Sequence, residues 1–271
     1  MAKVASVAVF DSGVGGLTVV SALRRTLPHE SIVYLGDTAR VPYGGKSRET
    51  IERYSEEIAH LLVGEGAKVV VVACNSASAL ALPRLREKLT VPVEGVIDPG
   101  VAAALAATRS GHVAVIGTKA TIGSGAYERG LRAARPEIRV TSMACPLLVP
   151  LIEEGLLDDP VTDAVLERYL AALRETDVDT LVLGCTHYPL LAPAIARAVG
   201  PRIALVDSAA NCAAAVAGLL SSRGLAAPAT AAGSLQLGFT DPPDRFLEVA
   251  GRALGLDTAP VSVRTVPPLG Q

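Results

Sequence analysis

Long runs of basic residues are missing from the 271-residue chain, whose 25 lysines and arginines are scattered among 27 aspartates and glutamates for a formal net charge of −2. Without the basic stripe that a phosphate backbone requires, nucleic acid is excluded as the primary partner. Membrane-length apolar runs are missing too. The stretch after Met1-Ala2-Lys3 ends at the charged Asp11, far short of the roughly 20 residues that cross a bilayer, and no small-residue cleavage site follows it. It reads as the first strand of a cytoplasmic protein with no membrane partner. Cysteine is sparse: four residues without close pairing make no disulfide framework and stand as free thiols in a reducing compartment. The dinucleotide-binding fingerprint also fails. Asp11-Ser12-Gly13-Val14-Gly15-Gly16 follows the first strand, but position 18 is Thr where G-x-G-x-x-G needs Gly.

What is present is a globular chain with 50% hydrophobic residues, ample for a buried core. Strand-like runs near 4–10, 31–35, 68–73, 93–97, 112–117, 138–142, 179–183, 202–206, 235–239 and 261–266 alternate with helical patterns at 14–27, 48–64, 161–174 and 208–222. Such alternation predicts an α/β protein with mostly parallel, helix-covered sheets. Val7-Ala8-Val9-Phe10-Asp11-Ser12-Gly13 is echoed by Val113-Ala114-Val115-Ile116-Gly117-Thr118-Lys119. The echo suggests two pseudo-symmetric α/β domains facing each other across a cleft. A hinge at Asp98-Pro99-Gly100 and a return near Asp207-Ser208 divide the chain into residues 1–97 plus 208–271 and residues 98–207. Residues 226–233 read as an exposed connection, and 266–271 as a poorly ordered tail.

A second echo carries chemistry. Val69-Val70-Val71-Val72-Ala73-Cys74-Asn75-Ser76 and Thr180-Leu181-Val182-Leu183-Gly184-Cys185-Thr186-His187 each run an apolar, β-prone stretch into a thiol and then small polar residues. Parallel strands of this kind deliver the residues at their ends to the carboxyl edge of the sheet, where open α/β sheets bind ligands. A strand-to-helix turn is expected to lower a thiol's pKa through the helix dipole. His187 can tune or protonate beside Cys185, and Asp11 beside Cys74 if the first and third strands are neighbours. A single buried cysteine is usually inert, and Cys145 and Cys212 are read so; a matched pair points to chemistry from two sides. Asp11 would repel a pyrophosphate. It can accept the N–H bonds of its own loop, as a cap, or hold a cationic amine. Asn75, Ser76, Thr118, Thr121 and Thr186 are short hydrogen-bonding residues after strand ends, fit to hold a carboxylate or simply to cap turns. The loop from Asp37 through Tyr43-Gly44 to Ser47 is either a surface excursion or a cover over a polar ligand. Glu153-Glu154-Gly155 reads as a solvated turn ending a short helix.

Taken together, Asp11-Ser12-Gly-x-Gly-Gly, Gly36-Asp37-Thr38-Ala39-Arg40 with Pro42-Tyr43-Gly44, Ala73-Cys74-Asn75-Ser76-Ala77, Glu153-Glu154-Gly155 and Gly184-Cys185-Thr186-His187-Tyr188-Pro189 resemble the glutamate racemases of bacteria. The match runs in order through nearly the whole chain. It implies cofactor-independent conversion of L-glutamate to D-glutamate for peptidoglycan, in a homodimer with no metal. It also implies Cys74 and Cys185 as the proton-transferring pair, supported by Asp11, His187, Asp37 and Glu153. Asp11-Ser12, Tyr43-Gly44, Asn75-Ser76, Thr118, Thr121 and Thr186-His187 would meet the substrate. Ser76 stands where the family often has Thr, and the hydroxyl is kept. Racemisation requires a Cα proton to leave one face while another arrives on the opposite face, which one thiolate and one thiol can accomplish. Three other readings remain: an aspartate or hydantoin racemase of the same layout; a redox or zinc module if Cys74, Cys185, His187 and Asp11 converge; and a non-catalytic nucleotide-binding protein.

Overall fold

A computed structural model describes residues 5–242, 254 and 261–269. Each of the ten strand-like runs contains a strand, and every strand pairing is parallel. The first sheet uses β1 (Ser6–Asp11), β2 (Ile32–Gly36), β3 (Ala67–Val72), β4 (Val93–Gly95), β9 (Leu235–Phe239) and β10 (Val261–Val263), in the order β10-β9-β2-β1-β3-β4. The second uses β5 (His112–Gly117), β6 (Arg139–Ala144), β7 (Thr180–Gly184) and β8 (Ala204–Asp207), in the order β6-β5-β7-β8. The four-strand core β2-β1-β3-β4 therefore has the same order as β6-β5-β7-β8, strand for strand. The residues after β1 and β3 have their counterparts after β5 and β7, and all lie at the carboxyl edges of their sheets.

Helices cover both sheets, which is why the central strands read as continuous apolar runs rather than alternating ones. Val69, Val70, Val71 and Val72 of β3 are each fully buried, as are Val113, Val115 and Ile116 of β5. Around the first sheet lie α1 (Leu17–Thr26), α2 (Arg48–Gly64), α3 (Asn75–Leu80) and α4 (Leu82–Lys88), while α5 (Ile97–Ala107) packs on β7 and β8 of the second. Around the second lie α6 (Lys119–Ser124), α7 (Ala126–Ala134), α8 (Leu148–Glu153), α9 (Pro160–Leu170) and α10 (Ala192–Val199), and α11 (Ser208–Ser222) returns the chain to pack on α1 and α5. The two halves also touch where α3 meets α6, and where Thr18 Oγ1 donates to the Thr186 carbonyl at 3.1 Å.

Three local expectations are corrected. β4 stops at Gly95 instead of continuing to residue 97, and Asp98-Pro99-Gly100, where the chain is expected to leave the first half, form the first turn of α5. A proline is tolerated there because first-turn amides have no acceptor within the helix. The helix expected over 161–174 is α9 followed by a 3₁₀ turn at Ala171–Glu175. Val266, read as the start of a loose tail, packs against the core, and residues 270 and 271 lie outside the described residues.

Candidate active site

Asp11 is the last residue of β1 and is fully buried. Its Oδ2 accepts from the backbone N–H of Gly13 at 3.3 Å and of Gly16, the cap of α1, at 2.9 Å. The carboxylate thus occupies the helix start where a ligand phosphate would otherwise sit, as the failed dinucleotide motif implied. Burial raises its pKa, against the pull of His187 and of the Gly16, Ser12 and Gly13 amides. Next to β1 runs β3, which hands the chain to Cys74, the N-cap of α3. Cys74 Sγ donates to Ser12 Oγ at 3.5 Å. The lowered thiol pKa expected from a helix start is not found. Burial pushes Cys74 up to about 12, and the nearby Asp11 charge adds to the rise; the Ser12 hydroxyl and the α3 backbone only partly oppose it.

Cys185 follows β7 at the equivalent point of the second sheet, but its surroundings differ. No α-helix starts there. A turn leads into a 3₁₀ segment at Tyr188–Leu191, and α10 begins only at Ala192. The expected sameness of the two thiol settings therefore holds for the strand and not for the helix. His187 Nδ1 stands 3.8 Å from Cys185 Sγ, and its Nε2 stands 3.2 Å from Glu153 Oε1 at the end of α8. Burial alone would strip the ring of its proton, but the hydrogen bonds to Cys185 and Glu153 and the Asp11 charge outweigh it and raise His187 to about 10. That direction favours the protonated ring beside Cys185. The ring lies close against Gly15 of the opposite half, where a Cβ would come within 2.4 Å of Nδ1.

Both thiols line one cavity of about 320 Å³ between the carboxyl edges of the two sheets, near the lower limit for small-molecule sites. Ser12, Tyr43, Gly44, Asn75, Ser76, Thr118, Glu153, Thr186 and His187 line it with them. Ser76 Oγ lies 2.9 Å from Thr118 Oγ1 and 3.3 Å from Thr121 Oγ1, so a hydroxyl cluster spans the halves. Asp11, Asp37 and Thr121 are behind the wall rather than on it. Asp37 is fully buried; its Oδ2 accepts from the Tyr43 hydroxyl and from Arg40 Nε at 2.7 Å, and its Oδ1 accepts from Thr240 Oγ1 at 2.9 Å. It braces the Tyr43-Gly44 loop, which presses on Thr118 across the cleft: a Cβ on Gly44 would meet Thr118 Cβ at 2.8 Å. The Glu153 turn, read as merely solvated, supplies a partner to His187. The apolar rim of Val41, Pro42, Pro146, Val149 and Pro150, and the exposed Lys119, also line the cavity. Pro146, Val149 and Pro150 carry no local signal in the sequence, because nothing in a proline-rich turn distinguishes a cavity rim from an ordinary loop.

A larger cavity of about 600 Å³ lies elsewhere, lined by residues such as Ser6, Ser31, Glu65, Gln236 and Arg264. It holds no thiol, and its two charged groups, Glu65 and Arg264, are paired with each other. Among the described residues no group of three or more His, Cys, Asp or Glu side chains converges to hold a metal ion, so the zinc arrangement considered from the sequence is not formed. No helix among the described residues is long and apolar enough to cross a membrane.

Comparison with known proteins gives a consistent result. Residues 17–216 match the model of the family described as Asp/Glu/Hydantoin racemase. The glutamate racemase of Geobacter metallireducens is 50% identical over 250 residues, covering 92% of this chain and 93% of the relative. The crystal structure of a glutamate racemase isoform from Bacillus anthracis superposes with a TM-score of 0.93 at 38% identity, covering 98% of this chain and 99% of that one. A glutamate racemase from Francisella tularensis, solved in complex with D-glutamate, superposes with a TM-score of 0.89 at 34% identity, covering 97% and 98% of the two chains.

Proposed function

Because the chain belongs to the Asp/Glu/hydantoin racemase family of enzymes, we propose that it interconverts L- and D-glutamate without a cofactor, with Cys74 and Cys185 as the paired acid and base. The observation that carries this reading is that two thiols, delivered by equivalent strands of two matching sheets, line one small cavity. One thiolate removes the Cα proton from its face of the substrate. The other thiol then gives its proton to the opposite face, and the protonation states of the pair are exchanged at the end of each turnover. For the reverse direction the roles swap.

The remaining groups address the charges of an amino acid. Ser76, Thr118 and the Asn75 amide offer neutral donors suited to a carboxylate, and His187 adds a positive charge at the Cys185 side. The Asp11 carboxylate, behind Ser12, favours a substrate ammonium near Cys74. An ammonium bound there would offset the Asp11 charge that helps hold the Cys74 thiol up, bringing the thiolate within reach when substrate arrives. The mostly apolar rim excludes water, which strengthens every donor aimed at the developing carbanion.

The same reading extends beyond the site. Sheet membership supports a division into residues 1–97 plus 208–271 and residues 98–207. The product, D-glutamate, would supply peptidoglycan synthesis in the cytoplasm, with the enzyme acting as a homodimer. The test is solvent deuterium incorporation at Cα of each glutamate enantiomer by purified protein without added cofactor, beside aspartate and a hydantoin. Exchange of both glutamate enantiomers is expected. Faster exchange of aspartate or the hydantoin, or none of glutamate, overturns the substrate assignment.

A further inference from the structure

Tyr127, on α7 of the second half, plays no part in the reading above and is 2% exposed. Its hydroxyl donates to Asn75 Oδ1 at 2.8 Å, reaching across the cleft to the first residue of α3. The same hydroxyl also interacts with the side chain of Ser208, the first residue of α11. Its ring is wedged between the two sheets' connections: a Cβ on Gly100, in the first turn of α5, would lie 3.2 Å from the ring, as would one on Gly184 at the end of β7. Tyr127 thus touches both points where the chain crosses between the halves, α5 outbound and α11 on return.

A tyrosine hydroxyl has one proton to donate. That proton goes to Asn75 Oδ1. The other end of the amide, Nδ2, is buried without a hydrogen-bond partner among the described residues, on a side chain that lines the cavity. A buried NH₂ with no acceptor costs free energy unless a ligand supplies one. We infer that Tyr127 is a positioning residue: it pins the Asn75 carbonyl, turns the NH₂ toward the cavity as a donor for a substrate carboxylate, and ties that orientation to the packing of the two halves. This inference rests on the proposed substrate site. It does not require either thiol to act as described.

The test uses the full-length enzyme and a double-mutant cycle on kcat/KM for glutamate. Tyr127→Phe should lower kcat/KM about tenfold, the loss expected of one oriented hydrogen bond to a charged group. In an Asn75→Ala background the same substitution should change it less than about twofold, because the two residues act as one unit. An equal loss in both backgrounds, as general loosening of the core would give, overturns the inference, and so does a Tyr127→Phe enzyme within about twofold of wild type. Should Tyr127→Phe fail to fold, Asn75→Asp decides the matter: it keeps the acceptor for Tyr127 but turns a carboxylate oxygen toward the cavity. Its KM should rise at least tenfold, and an unchanged KM overturns the orientation. A readout that needs no turnover is the side-chain ¹⁵N resonance of Asn75, which should shift in Tyr127→Phe. A wild-type enzyme without glutamate exchange would count against the proposed substrate, whereas an unmoved Asn75 resonance would count against Tyr127 alone.

Discussion

The two halves of the molecule repeat one frame and dress it differently. β1-β3 and β5-β7 are parallel pairs in the same order, each placing a cysteine just past the end of its third strand. Around Cys74 stand a hydroxyl and a buried carboxylate at the start of an α-helix, and burial drives the thiol toward its protonated form. Around Cys185 stand an imidazole whose pKa is raised, held by Glu153, and no helix start. Topology thus supplies the opposed placement, while each thiol is surrounded by different neighbours from its own half. For an enzyme proposed to run in both directions, the asymmetry has a use. The two faces of a chiral substrate present different groups, and a symmetric pair of thiol settings would match neither.

The comparison is broken most severely by removing the thiols one at a time. Cys74→Ser and Cys185→Ser should each lower racemisation by about 10³-fold or more, at the upper range for loss of an acid–base group. Near-normal turnover by either variant, followed by polarimetry, would show that the two sides are not both needed. Next in size is Gly15→Ala. A methyl there runs into the His187 ring and into Thr186 Oγ1, at 2.6 Å from the latter. It should cost about 1–3 kcal/mol in denaturant unfolding and disturb the Cys185 side selectively. A full-stability Gly15→Ala protein would mean the loop moves freely.

The halves should also separate by pH. His187 is raised from 6.5 to about 10, so the folded state holds a proton that the unfolded chain releases. Its contribution is complete below about pH 6.5 and is lost as pH rises toward 10. Cys74, raised from 9.0 to about 12, has the same sign in a higher window: its contribution is complete below about pH 9 and is lost through pH 12. Unfolding free energy should therefore fall with rising pH, each group giving a slope of at most about 1.4 kcal/mol per unit. His187→Asn should flatten the lower window and Cys74→Ser should reduce the slope in the upper one, which the buried Cys145 and Cys212 thiols share; a variant that leaves its window unchanged removes that side of the contrast. The smallest effect expected is at Gly123, in the exposed part of α6 with nothing within 4 Å of an added Cβ. Gly123→Ala should stabilise by about 0.5–1 kcal/mol, measured as a raised denaturation midpoint. With Gly15→Ala it distinguishes a glycine that helices merely tolerate from one that a neighbouring half requires.

Much of this was legible in linear order. Apolar runs such as Val69 to Val72, ending abruptly in small polar residues, mark buried parallel strands because only a strand covered on both faces is apolar throughout. The repeated strand-then-thiol pattern points to Cys74 and Cys185, and the Asp11 loop shows that no pyrophosphate sits there, while leaving open whether Asp11 caps its own loop or meets an amine. Other features had no local signal. Glu153 resembles any acidic helix end, Asp37 any loop carboxylate and Tyr127 any core aromatic. Each takes its meaning from a partner far along the chain: Glu153 from His187, Asp37 in part from Thr240, Tyr127 from Asn75.

The sequence by itself determined the alternation of strands and helices, the doubled frame and which residues stand at strand ends, because hydrophobic periodicity and turn chemistry act over a few residues. Only the tertiary structure decided the ionisation of those residues and which of them face the cavity. Desolvation and Coulomb interactions depend on distance in space, and only the folded chain brings Asp11 beside Cys74 and Glu153 beside His187.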